Sequence, residues 1–207
     1  MIKGVDISNH NIDHLSSINF APLLDRSSFV IMKASEGATY KDRYLDLYYN
    51  LLHGSNDGRP DPDRLYGFYH YARPDYENIP KLEAANFLRH VRHHAGFALF
   101  ALDVEGLALT LSQARLDKWV KEWCQIIIDE TGVKPLIYCS ESNTRRFPSA
   151  AALDCGLWVA KWGKTKPKSI KPWELYAIWQ DGTTGGKLDT DYFNGSADAW
   201  RKYCKSC

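Results

Sequence analysis

Short runs of apolar and aromatic residues recur along the whole chain, and between them the apolar positions switch to helical spacing. The runs are Ile2–Ile7, Phe29–Ala34, Leu65–Tyr71, Phe97–Val104, Pro135–Cys139, Leu157–Trp162 and Leu175–Gln180, with a weaker one at Lys187–Asp189. Most are nearly continuous in hydrophobicity, the pattern of strands buried on both faces. Helical spacing predicts helices over Tyr40–Leu52, over Lys81–His94 behind Pro80, and over Leu111–Glu130. The last is opened by Thr110 with Gln113 three residues on, a capping-box pattern, and is closed by Gly132. Strands alternating with helices predict an α/β fold with a parallel sheet, and about eight such strands favour closure into a barrel. The final strands stand too close together for full helices between them, so the barrel is expected to be irregular in its last third.

Polar residues gather where these runs stop. Asp6 ends the first, Glu36 follows the second, His70 lies in the third, and Asp103 with Glu105 ends the fourth. Tyr138, Trp162 and Gln180-Asp181 belong to the ends of the next three, and Asp189 to the last. In a β/α barrel the C-terminal ends of the strands converge on one mouth, where such enzymes keep their active sites. Acids held there are costly to bury unless they bind something or share protons.

The sharpest pair is Asp103 and Glu105. Side chains alternate along a strand, so both point the same way, roughly 7 Å apart at their Cα atoms. Two carboxyls that close repel when both are ionised, which leaves a protonated acid beside a carboxylate near neutral pH. Glycosidic bond cleavage needs that combination: an acid for the leaving oxygen and an anion for the positive charge at the sugar carbon. Glu36 is expected in the same site, because a buried strand should not end in an acid without reason. Tyr69, Tyr138 and Trp162 fall near the predicted mouth, where core packing and sugar stacking are both open to them.

Two other readings compete. The acids could serve only to recognise sugar hydroxyls in a non-catalytic glycan-binding barrel. Alternatively, Lys33 or Lys161, both on strands, could form a Schiff base in a Lys-dependent lyase or aldolase. Lys33 is expected instead to pair with Glu36 or Asp6.

Composition narrows the field further. A net charge of +1 gives no support to a nucleic-acid binder or a polybasic membrane binder. No stretch approaches the ~20 apolar residues of a membrane span. Met1–Asp6 has no signal-like apolar stretch, so the expectation is a chain made in the cytoplasm, or a secreted one whose signal has been removed. Five cysteines, an odd number, argue against a disulfide framework. Cys204 and Cys207 form a lone CxxC without the second pair a zinc site requires. His90, His93 and His94, beside Arg89 and Arg92, read as a solvated basic face and not as metal ligands. Residues 182–188 resemble a phosphate loop only superficially and read as a turn before the last strand. Neither a metal nor a cofactor is expected. Residues 54–63 read as a loop within one domain spanning 1–207.

Taken together, the motifs resemble glycoside hydrolase family 25, the Chalaropsis-type lysozymes that include many phage endolysins. The likeness runs in order through GVDIS at Gly4–Ser8, KASEG at Lys33–Gly37, GFYHYARP at Gly67–Pro74 and LDVE at Leu102–Glu105. It continues through LWVA at Leu157–Ala160, IWQ at Ile178–Gln180 and LDTDYF at Leu188–Phe193. The resemblance implies an irregular TIM-like barrel of about eight strands and about five helices. It also implies N-acetylmuramidase activity on peptidoglycan glycan strands. Carried over by position, Glu105 is the general acid, Asp103 stands beside it, and Asp6 and Asp189 complete an acidic floor. Asp103 would either attack the sugar or orient the substrate's own N-acetyl group. Asp191 stands where the family usually has Asn; it is expected not to disable catalysis, though it adds another negative charge. After Ser196 too little chain follows for a separate wall-binding module.

Overall fold

The computed structural model describes residues 1–13, 27–53, 64–184 and 188–205. Its strands are β1 (Ile2–Ile7), β2 (Phe29–Glu36), β3 (Tyr40–Lys41), β4 (Leu65–Tyr71) and β5 (Leu99–Asp103), followed by β6 (Leu136–Ser140), β7 (Gly156–Ala160), β8 (Ile178–Thr184) and β9 (Leu188–Phe193). They lie in the order β1-β9-β8-β7-β6-β5-β4-β2-β3, and β1 also pairs with β2, so all but β3 close into a barrel of eight strands. Neighbours from β1 round to β8 are parallel, while β9 runs antiparallel to both β8 and β1. The irregular final third is thus a hairpin, β8–β9, with a break in register between Gln180 and Gly182.

Alternation along each strand explains why the runs are apolar throughout. Phe29, Ile31, Leu65, Leu99, Ala101, Leu136, Trp158, Ile178 and Phe193 fill the barrel interior in one cluster. Val30, Met32, Phe68, Phe100, Leu102, Ile137 and Val159 pack outward in another, against helical residues such as Tyr48, Phe87, Trp119 and Trp123. At the end opposite the polar strand ends, Trp200 plugs the interior, its ring 4.7 Å from Phe29 and 5.1 Å from Phe193. Gly4 is required by this filling: a Cβ there would lie 2.5 Å from the Phe29 ring.

The helices are α1 (Asn9–Asp13), α2 (Leu45–His53), α3 (Pro80–Val91), α4 (Gln113–Thr131), α5 (Pro148–Ala152) and α6 (Ala197–Cys204). Three expectations are corrected here. The helix expected from Tyr40 begins at Leu45, because Gly37 at φ 53° turns the chain back and Tyr40–Lys41 pairs with the end of β2. The capping box at Thr110 does not form. Thr110 lies in a 3-10 turn and donates to the Leu107 carbonyl, Gln113 donates to the Arg146 carbonyl, and Ser112 is the N-cap. His94 is not part of a solvated face but is buried between the rings of Tyr49 and Phe68, at 4.9 and 4.8 Å. Gly132 closes α4 in the left-handed conformation, as its position implied. Residues 54–63, Lys187 and Cys207 lie outside the described residues. No helix among the described residues is long and apolar enough to cross a membrane.

Candidate active site

The polar strand ends meet at one mouth and line a cavity of about 430 Å³. Asp6 and Ser8 come from the end of β1, Lys33 and Glu36 from β2, and Tyr69 and Tyr71 from β4. Asp103 is the last residue of β5, and Glu105 follows in extended conformation, so the alternation that aims both carboxyls inward continues past the strand. Tyr138, Trp158, Gln180 and Asp189 complete the wall.

Asp189 arrives by a route its sequence did not suggest. It does not end a parallel strand but stands near the start of antiparallel β9, directly opposite Asp6 in the register. The start of an antiparallel strand lies at the same end of the barrel as the finish of a parallel one, so the residue still reaches the mouth.

Crowding shapes the acids' chemistry. Asp103 is buried, its Oδ1 has no hydrogen-bond partner, and burial followed by the Glu105 charge pushes its carboxyl well above the usual range. Glu105 reaches into the open cleft, yet its walls strip enough water to raise its pKa, and the Asp189 charge adds to that. Asp6 is pushed up to about 7, by burial first and then by Asp189. Lys33 opposes the shift at both Asp103 and Glu105.

Lys33 is itself held. Its Nζ donates to Glu36 Oε2 at 2.7 Å and lies 4.8 Å from the centre of the Tyr71 ring. Arg73 donates to the other Glu36 oxygen at 2.9 Å and also grips Asp75. Burial would raise the Glu36 carboxyl, but hydrogen bonds and charge from Lys33 and Arg73 lower it below its ordinary value. Glu36 therefore lines the cavity as the anchor of two cations. A Schiff base requires a free, neutral amine. Lys33 is not free, since its Nζ is engaged by Glu36, and Lys161 pairs with Glu141 at 2.8 Å without lining the cavity.

Gln180 organises the opposite wall. Its Nε2 donates to Asp6 Oδ2 at 2.9 Å, while its Oε1 accepts from the Tyr138 hydroxyl at 2.9 Å and the Trp162 indole at 3.2 Å. Tyr69 is buried beside Asp6 and hydrogen-bonded to Ser8. Trp162 does not line the cavity: 65% exposed, it stands on the rim, tethered through Gln180.

Sequence reasoning placed Gln180 among the polar strand ends without assigning it a function, and gave Arg73 and Trp158 no role in the site. Gln180 was findable, since a polar residue on the inward parity of an apolar strand needs partners. Glu83 was not. His70 turns away from the mouth into the helical layer, where its ring meets Ser35 Oγ at 2.8 Å and Glu83 Oε2 at 2.9 Å. The same Glu83 oxygen accepts from the Arg73 backbone N–H at 3.0 Å, fixing the residue that carries the guanidinium. Among the described residues no His, Cys, Asp and Glu side chains cluster as metal ligands.

Comparison with known proteins agrees with this geometry. A family model described as "Glycosyl hydrolases family 25" matches residues 5–187. An N,O-diacetylmuramidase of Arthroderma benhamiae is 26% identical over 99% of this chain and 87% of its own length. Among solved structures, a muramidase from Trichobolus zukalii superposes with a TM-score of 0.79 at 25% identity, covering 99% of both chains. A family 25 lysozyme from Aspergillus fumigatus does so with 0.77 at 28% identity, covering 100% of this chain and 99% of its own.

Proposed function

The chain belongs to glycosyl hydrolase family 25, and we propose that it cleaves the β-1,4 bond between N-acetylmuramic acid and N-acetylglucosamine in bacterial peptidoglycan, acting as one catalytic domain. The observation that carries the reading is the juxtaposition of Asp103 and Glu105 at one mouth, with only Glu105 standing in the open cleft. Glu105 is the proton donor. Burial and the Asp189 charge raise its pKa above the ordinary carboxylate range, which favours the protonated form, and its position lets it reach the glycosidic oxygen. Asp103, beneath it, and Asp6, oriented by Gln180, titrate with it as one coupled set, and the negative charge shared among these acids stabilises positive charge developing at the sugar carbon. Asp189 holds the Glu105 proton in place through its charge.

Tyr69 and Tyr138 form the apolar walls against which sugar rings lie, and Trp162 extends that surface at the rim. Glu36 acts indirectly, by holding Lys33 and Arg73 at the cavity edge. The enzyme meets its substrate after release or export from the cell that makes it.

The bond cut is read from the products. Mass spectrometry of fragments released from purified cell walls should show N-acetylmuramic acid at each new reducing end. Reducing-end N-acetylglucosamine would identify a glucosaminidase, and free stem peptides an amidase. Either product would overturn the proposal.

A further inference from the structure

Among the described residues, Asp191 is the one acid of the barrel interior that does not line the cavity. It lies two residues along β9 from Asp189 on the same inward face, opposite Gly4, whose missing side chain leaves it room. It is fully buried. Oδ1 accepts from the Trp158 indole N–H at 2.8 Å, while Oδ2 is sealed from solvent with no other group to donate to it. The ladder sets Asp6 opposite Asp189 and Gly4 opposite Asp191, so the Asp191 and Asp6 carboxyls are diagonal neighbours on one inward face, and each perturbs the other.

Two carboxylate oxygens cannot hydrogen-bond without a proton between them, and two buried carboxylates in contact cannot both ionise cheaply. The proton has one favourable resting place. Asp6 already receives Gln180 Nε2 and opens to the cleft, so it is the better anion. Asp191 lies deeper and has only the indole. We propose that Asp191 is a positioning residue held as a neutral carboxylic acid, whose Oδ2–H donates to Asp6 and fixes that carboxylate against the Gln180 amide.

Burial and the Asp6 charge both push the Asp191 carboxyl well above the usual range, while the same hydrogen bond pulls Asp6 down. The other ionisable groups of the interior are Asp189 on the same strand, Lys33 on β2, Tyr69 on β4, Asp103 and Glu105 at the end of β5, and Tyr138 on β6. Lys33 is committed to Glu36. An Asp where the resemblance expects Asn therefore adds no charge: a carboxylic O–H replaces an amide N–H as the donor.

This inference rests on the mouth being the catalytic site, but its first test does not need activity. Carbon-13 NMR of the wild-type protein should show the Asp191 carboxyl carbon still protonated at pH 8, a signal assigned by its loss in Asp191→Asn. A carboxylate signal at that pH would overturn the proposal whatever the enzyme does. For positioning, Asp191→Asn keeps both hydrogen bonds and should retain activity within about threefold, whereas Asp191→Leu should lose about tenfold or more in kcat. The pH–rate profile separates donor from charge. With Asp191 neutral, Asp191→Asn leaves the alkaline limb in place; a limb that moves to lower pH means a charge was removed, and refutes the neutral acid. Should Asp191→Leu fail to fold, the NMR signal and the Asp191→Asn profile decide between them.

Discussion

Glu105→Gln separates a catalytic proton from a structural contact. The side chain stands in the cleft and forms no hydrogen bond or ion pair among the described residues, so the amide loses no packing partner. No neighbour replaces the donor, because Asp103 and Asp6 are 7% and 8% exposed and sit below the plane Glu105 reaches. General acid catalysis contributes roughly 10²–10⁴-fold, so kcat on cell walls or soluble glycan oligomers should fall by ~100-fold or more, which is about 2.7 kcal/mol of barrier. KM should hardly move. Stability should move the other way. Glu105's pKa is raised in the folded state, so the unfolded chain releases a proton that the native protein keeps, and wild-type stability falls as pH rises above the ordinary carboxylate range. Glutamine has no proton to lose. The variant should match wild type near pH ~3, below the unfolded pKa, and melt higher near neutrality. Turbidity loss of purified walls gives the rate, and thermal melts at several pH values give the stability. Retention of most activity would remove Glu105 from the acid role. A variant that melts lower at every pH would show that the side chain is structural.

Three further outcomes follow from the same geometry. Asp189→Asn removes a charge that raises Glu105, so the acid deprotonates sooner and the alkaline limb of kcat/KM should shift to lower pH; an unmoved limb would break the coupling. Exhaustive EDTA treatment should leave the rate unchanged, since carboxyls supply both proton and counter-charge, and a loss restored by zinc or magnesium would refute that account. Gly4→Ala should destabilise by about 1–3 kcal/mol in urea unfolding, because its Cβ would meet the Phe29 ring, and a neutral result would mean that the interior yields more easily than its packing suggests.

The barrel was legible because strands buried on both faces carry unbroken apolar runs, and seven of them announce themselves without help. What sequence could not reveal was direction. Nothing in LDTDYF distinguishes an antiparallel strand from a parallel one, and Asp189 was placed at the mouth for the wrong reason. Parity made Asp103 and Glu105 readable, since both lie on the inward face of one run. Partnerships across the fold were not readable. His70 and Glu83 meet only through the fold, and no local pattern marks Glu83, the one acid of α3, as completely buried. The place of Trp162 was equally unreadable: it follows β7, its ring stands exposed at the rim, and its indole nitrogen donates to Gln180.

The pairing of β9 with β1 also has a consequence for how the enzyme is born. Asp6 and Asp189 lie far apart along the chain, yet they stand opposite each other across a single ladder. Loop-closure entropy must be met before that contact gives anything back, so the acidic floor belongs to the late, non-local part of folding. A nascent chain carrying β1 to β8 would have most of its core and Glu105 already synthesised, but an open seam where the floor should be. Hydrolytic competence is therefore withheld until the two edges of the sheet find each other. The floor of the mouth is thus completed only by the contact that closes the barrel, and a variant that opens the β1–β9 seam should lose activity before it loses most of its core.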